Sequence, residues 1–190
     1  MDECKPLAVG GGSGGGPGAR QGLTLTADGA GNLLLFGGER SGYLYGDVWR
    51  LDPASASWTF LAAVGAASPP PGRHDHTAVV AGGALLVFGG RGAGGAPLND
   101  LWKFTVATQE WVQLPSPPAM EPRFGHSAAV VGHAMLVYGG YLEATADFTT
   151  QLWSYDLAAT GVTAASAALP GGVNGWTKAG AYTRPILSST

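Results

Sequence analysis

Charge is scarce in this chain. Only 12% of its 190 residues are Asp, Glu, Lys or Arg, and the formal net charge is −3. No basic run occurs, so the electrostatic footprint of a nucleic-acid binder is missing. Cysteine is scarcer still: Cys4 stands alone, which excludes an internal disulfide and fits a reducing compartment. No stretch offers the about 18 apolar residues that a membrane-spanning helix needs. The most apolar one, 128–138, is broken by Gly132 and His133. The opening Met1-Asp2-Glu3-Cys4-Lys5 is acidic where a secretory leader would be basic. These absences predict a cytoplasmic protein with neither membrane nor nucleic acid as partner. Capped helical periodicity is missing along the whole length.

What remains is glycine and tryptophan. With 32 Gly and six Trp, the composition is that of short buried strands joined by tight turns. Residues 10–18 (GGGSGGGPG) read as a flexible Gly-rich linker.

Four markers recur in one order three times. Arg20, Arg73 and Arg123 precede each unit. Phe36-Gly37-Gly38, Phe88-Gly89-Gly90 and Tyr138-Gly139-Gly140 follow apolar runs, at steps of 52 and 50 residues. Trp49, Trp102 and Trp153 come next, followed by Trp58, Trp111 and Trp176. Each unit reads as four strands. In the second they are 76–80, 84–88, 101–106 and 110–114, with turns at Gly82-Gly83 and 107–109. Five-residue apolar runs between glycines suit strands buried on both faces, whereas third strands such as 47–52 alternate, as half-exposed strands do.

This four-stranded unit of about 50 residues resembles the kelch repeat. The double Gly, the aromatic before it, the spaced Trp pair and the openings Arg73/His76/Thr77 and Arg123/His126/Ser127 carry the resemblance over roughly residues 20–180. It implies an all-β fold of three kelch-type β-propeller blades at about 20–68, 69–119 and 120–180, preceded by 1–19 as a flexible Gly-rich N-terminal segment. The double Gly would end an inner strand where a side chain would collide with the next blade and where a positive φ is needed. The Trp residues would fill the space between blades, their indole N–H groups finding partners.

Several positions depart from the pattern. Leu23 stands where the later units have His76 and His126, and the third unit carries extra residues at 161–174 that read as a surface loop. Arg184-Pro185-Ile186-Leu187-Ser188 fits the opening of a fourth unit, within 181–190. Propellers have about four to eight blades, so three form an open, incomplete array. Further blades would come from a missing part of the protein or from a second chain.

Catalytic constellations are sparse. There is no Gly-x-Ser-x-Gly elbow, no phosphate-binding loop and no His-Glu-x-x-His. His74-Asp75-His76 lacks further local ligands, and His76 belongs to the repeat, so its role reads as structural. Ligands for a copper–tyrosine cofactor cannot be assigned. Glu143, Asp147 and Gln151 resemble the iron-holding Glu, Asp and His of plant kelch proteins that redirect glucosinolate breakdown, but Gln151 replaces the His and is a poor iron ligand. Arg73 and Arg123 read as structural, bonded to backbone carbonyls or a carboxylate. No metal or other cofactor is expected.

The resemblance implies a non-enzymatic protein-interaction scaffold that binds other proteins through variable loops on one face. Those loops are 39–46, 91–98 and 141–150, each after a double Gly. Tyr43, Tyr45, Arg91 and Tyr141 are candidate anchors, with Glu143 and Asp147 as acidic contacts or, in the alternative, as metal ligands of an enzyme or specifier protein.

Overall fold

The computed structural model describes residues 10–11, 15–61, 69–116, 119–160 and 176–179. They form three large sheets in the order of the three sequence units, antiparallel except for one short strand, and two small two-stranded ones. The first contains β1 (Gly10–Gly11), β2 (Thr24–Ala27), β3 (Leu33–Phe36), β6 (Val48–Asp52) and β7 (Ser57–Leu61), with a small hairpin, β4 (Glu39–Arg40) and β5 (Tyr43–Leu44), inserted after the double Gly. Within the segment read as a linker, β1 runs parallel to β7 at Ser57 and Trp58. The second sheet is β8 (Thr77–Ala81), β9 (Ala84–Arg91), β10 (Pro97–Thr105) and β11 (Glu110–Leu114). The third is β12 (Ser127–Val131), β13 (Ala134–Tyr138), β16 (Leu152–Asp156) and β17 (Trp176–Ala179), with the inserted hairpin β14 (Tyr141–Leu142) and β15 (Asp147–Phe148).

The three units are therefore blades of four strands each, apart from β1 and the inserted hairpins, as the repeat predicts. β17 begins at Trp176 and supplies the third blade's fourth strand. The Trp176 side chain, the insertion at 161–174 and the segment 184–188 lie outside the described residues.

Strand alternation explains how the blades stack. In β9, Leu85 and Val87 face the first blade, where they join Leu34, Phe36, Val48, Trp102, Phe104 and Trp111 in one buried cluster. Leu86 and Phe88 point the other way, into a second cluster with Met135, Val137, Trp153 and Tyr155 of the third blade. Period-2 geometry thus lets one apolar run feed two cores. The first strands of neighbouring blades touch, β8 lying between β2 and β12.

Two expectations need correction. Third strands are not cleanly half-exposed: in β10, Leu101 and Trp102 are consecutive and both buried, because the second blade has neighbours on both faces. Nor does every indole find a hydrogen bond. Trp111 Nε1 is buried and has none among the described residues; its ring packs against Phe36, Trp102 and Phe104.

Candidate functional site

The double glycines fix the geometry from which the loops depart. Gly37, Gly38, Gly89, Gly90, Gly139 and Gly140 all have positive φ, between 60° and 104°, where a β-carbon is strained. Space forbids one as well. A β-carbon on Gly37 would lie 2.7 Å from the Arg73 carbonyl oxygen and from His76 Cε1 of the next blade. On Gly89 it would meet the Arg123 carbonyl oxygen at 2.9 Å and His126 Cε1 at 3.0 Å.

A buried arginine latches each double Gly to the start of the third strand. Arg73 donates from Nη1 to the Gly89 carbonyl at 3.1 Å and to Asp100 Oδ1 at 2.6 Å, and from Nη2 to Asp100 Oδ2 at 2.8 Å. Trp102 Nε1 donates to the same carboxylate at 2.6 Å. Burial alone would raise the Asp100 pKa, but hydrogen bonds and charge from Arg73, with the Trp102 bond, outweigh it and hold the carboxyl below its usual range. Arg20, Gly37, Asp47 and Trp49 repeat the arrangement in the first blade. In the third, Gln151 takes the acid's place and accepts from Arg123 Nη2 at 2.8 Å and from Trp153 Nε1 at 3.0 Å. Burial lowers the Arg123 pKa, opposed by the Glu121 carboxylate 3.4 Å away. The arginines are thus structural. The sequence signal for their partner was an acid two residues before each third-strand Trp, present at Asp47 and Asp100 and lost at Gln151.

The histidines that recur three residues after Arg73 and Arg123 join one blade to the one before. His76 Nε2 pairs with Thr24 Oγ1, and His126 Nε2 with Thr77 Oγ1, both at 2.9 Å. Each imidazole also meets the preceding blade's Phe36 or Phe88 edge to face. Burial, reinforced by Arg73 and by Arg123 respectively, pushes their pKa values down to about 3 and about 4. Both rings are therefore neutral at pH 7, as a joint between apolar blades requires.

Onto this frame the loops are sewn by paired backbone bridges, Gln21 to Glu39, His74 to Arg91 and Phe124 to Tyr141. The candidate anchors divide into two kinds. Tyr45 is half-buried under Arg20, whose Cζ lies 3.6 Å from the ring centroid. Arg91 lies over Phe124 with Cζ 4.2 Å from its centroid and donates from Nε to the Gly95 carbonyl. Tyr141 packs on the same Phe124 and on Phe148. These three brace the loops. Tyr43, by contrast, is 66% exposed, standing edge-on to Tyr45. Phe148 is 78% exposed, and it was missed because a residue inside a loop carries no periodic signal for its direction. Asp147, next to it in the chain, and Glu143, in the turn of the same hairpin, are exposed. Asp147 Oδ1 accepts from the Phe148 N–H at 2.7 Å. With the Gln151 amide oxygen engaged by Arg123 and Trp153, the described residues hold no group of three or more His, Cys, Asp or Glu able to bind a metal. Among the described residues no helix is long and apolar enough to cross a membrane.

Residues 63–170 match the model of the KLHDC2/KLHL20/DRC7 Kelch-repeats domain. Kelch domain-containing protein 3 of Homo sapiens is 32% identical over 114 residues, covering 55% of this chain and 29% of that protein. Acyl-CoA-binding domain-containing protein 5 of Arabidopsis thaliana is 39% identical over 99 residues, 50% of this chain and 14% of that protein. The dynein alpha chain of the flagellar outer arm of Chlamydomonas reinhardtii is 39% identical over 70 residues, 37% of this chain and 2% of that protein. The chain spans less than a third of the length of each of these relatives.

Proposed function

This chain belongs to the kelch-repeat family, and from that premise we propose that it is a non-catalytic scaffold that binds other proteins through the loops following its double glycines. The exposure of Phe148 carries the reading: a large aromatic side chain, 78% exposed on the inserted hairpin, packs against Tyr141, which in turn rests on Phe124. An apolar anchor on a braced base is the form that interface hot spots take, because little conformational entropy is lost on binding. Tyr43 offers a second anchor on the first blade's loop. The same hairpin exposes two acids, Asp147 next to Phe148 in the chain and Glu143 in the turn, so the preferred partner is a protein segment with apolar and basic side chains.

The test compares captured partners of the native chain with those of Phe148→Ser and Tyr43→Ser, identified and quantified by mass spectrometry. Both side chains are exposed, so the blades should keep their stability. At least one partner protein should fall about tenfold or more in the Phe148→Ser capture. A double variant that retains every partner at native levels refutes the reading. Replacing Arg91 or Tyr141 is a poorer test, because both side chains hold Phe124.

A further inference from the structure

We propose that the outer edge of the first blade is a second docking site, separate from the loops, for an extended strand of a partner protein, and that the chain's own Gly-rich segment holds it shut. The first strands of neighbouring blades touch, so β7, on the opposite side of its sheet from β2, lies on the outer rim. Its edge points away from the neighbouring blades whatever their number. Among the described residues β11 and β17 end their sheets, whereas β7 carries a further strand. β1 pairs with it in parallel, Gly10 opposite Ser57 and Gly11 opposite Trp58. The edge therefore accepts a strand, in a defined direction and register.

The present occupant grips one residue twice. Gly11 pairs with the Trp58 backbone, and Gly16 lies flat on the indole. A β-carbon on Gly16 would stand 2.8 Å from Trp58 Cδ1, 3.2 Å from Cγ and 3.3 Å from Nε1. The φ of Gly16 is outside the left-handed range, so contact with the ring, not backbone conformation, demands glycine there. Such a clasp is weak. The glycines that make it bring no side chain, and glycine loses more conformational freedom on ordering than any other residue. A strand carrying β-branched or aromatic side chains would hold the same edge better.

The clasp also leaves part of the site bare. Phe60 follows Trp58 on the same face of β7, with its ring centroid 5.2 Å from that of Trp49, and it is 53% exposed. That exposure is a property of the rim. Gln113, the counterpart in the second blade, is exposed although that blade has a neighbour on each side, and so is Lys178 in the third. The rim position is thus polar in two blades and aromatic in the one whose edge accepts a strand. On a paired strand, the residues opposite Trp58 and Phe60 are two apart and share a face. The occupant that fits is an extended segment with apolar side chains at two alternate positions. One would take over the cover of Trp58 from Gly16, and the other would bury Phe60.

The probe is a short fluorescein-labelled peptide of alternating valine and threonine with a lysine at each end, titrated into the 190-residue chain and read by fluorescence polarisation. The native chain should bind it. Gly16→Val forces the clasp off the indole and should tighten binding about tenfold, because the site is no longer mostly shut. Phe60→Gln installs the residue type that the second blade carries at this place, so the blade should keep its fold, and binding should weaken about fivefold. Hydrogen exchange locates the site: amides of residues 57–61 should exchange faster in Gly16→Val than in the native chain, and slow again when the peptide is added. Absence of binding to both the native chain and Gly16→Val overturns the proposal. So does binding indifferent to either substitution, or binding that leaves exchange at 57–61 unchanged. Neither variant touches Tyr43 or Phe148, so this edge and the loop anchors stand or fall separately.

Discussion

Among the described residues, the second blade is enclosed on both faces, whereas the third meets a neighbour on one face only. In β9 every residue from Ala84 to Gly90 is buried, while β13 ends on a half-exposed Tyr138 and β12 alternates between exposed and half-buried. The tryptophans tell the same story at the other end. Trp102 and Trp111 are buried in the second blade, but their counterparts Trp49 and Trp58 in the first are only half-buried. One sequence pattern thus gives different burial according to what lies beside it. The apolar run in each unit is a requirement for two neighbours, and among the described residues only the middle blade has both.

The latches sharpen the contrast, and removing them should produce the largest effect. Arg73→Met leaves the Asp100 carboxylate, 16% exposed, without its cation, and the Gly89 carbonyl without its donor. Breaking a buried pair from one side costs about 4 kcal/mol. Arg123→Met likewise strips the Gly139 carbonyl of its donor, but its side-chain partners are a neutral Gln151 and a half-exposed Glu121, so its cost should be about 2 kcal/mol. Urea denaturation of both variants measures the difference. Equal losses would mean that the carboxylate is not what separates the two blades.

Next in size are the double glycines. Gly37→Ala should cost about 3 kcal/mol, from a strained left-handed residue and a clash with the next blade's backbone. Gly139→Ala carries the same strain, yet its β-carbon would meet nothing closer than the Thr149 carbonyl oxygen at 3.4 Å, so about 1 kcal/mol is expected. Thermal melts of the two variants at low chain concentration check this. A Gly139→Ala loss that grows with concentration would point to a neighbour seated on the third blade.

Acid attacks the joints rather than the blades. His76 and His126 are held neutral in the folded chain, with pKa values of about 3 and about 4, below the ordinary 6.5. The unfolded chain therefore binds protons at higher pH than the folded one. Stability is full above pH 6.5 and declines as the pH falls toward those lowered values. At pH 5 each histidine should have cost about 2 kcal/mol. The groups facing them are Arg73, His74 and each other for His76, and Arg123 for His126. Urea titrations at pH 7 and pH 5 should show the loss halve in His126→Leu, which places at the second joint the residue type that Leu23 already supplies in the first blade.

The repeat, the strand order and the double-Gly turns were legible because they rest on period and on residues of special backbone freedom. Blade contacts were half legible. His76 and His126 stood out as repeated, but their bonds to Thr24 and Thr77 lie about 50 residues apart and show only once the sheets are stacked. The exposed side chains of the loops were least legible. Tyr45, Arg91 and Tyr141 have the composition of interface residues and brace the loops, while exposed Phe148 sits in a stretch with no periodicity to betray it.

Gln151 is where sequence and structure can be played against each other most finely. It stands two residues before Trp153, as Asp47 and Asp100 stand before Trp49 and Trp102, and it alone among the three carries no charge. Gln151→Asp should let Arg123 make the paired contacts that Arg73 makes to Asp100, with Trp153 Nε1 donating to the same carboxylate. The gain is limited to about 1 kcal/mol, because desolvating the new carboxylate offsets most of the attraction, and because Glu121 already supplies part of the field. A stabilised variant would also make Glu121→Gln nearly neutral, since Arg123 would no longer depend on it. If Gln151→Asp instead destabilises the chain, the third blade's latch is built around the longer, neutral side chain, and its likeness to the other two stops at the tryptophan.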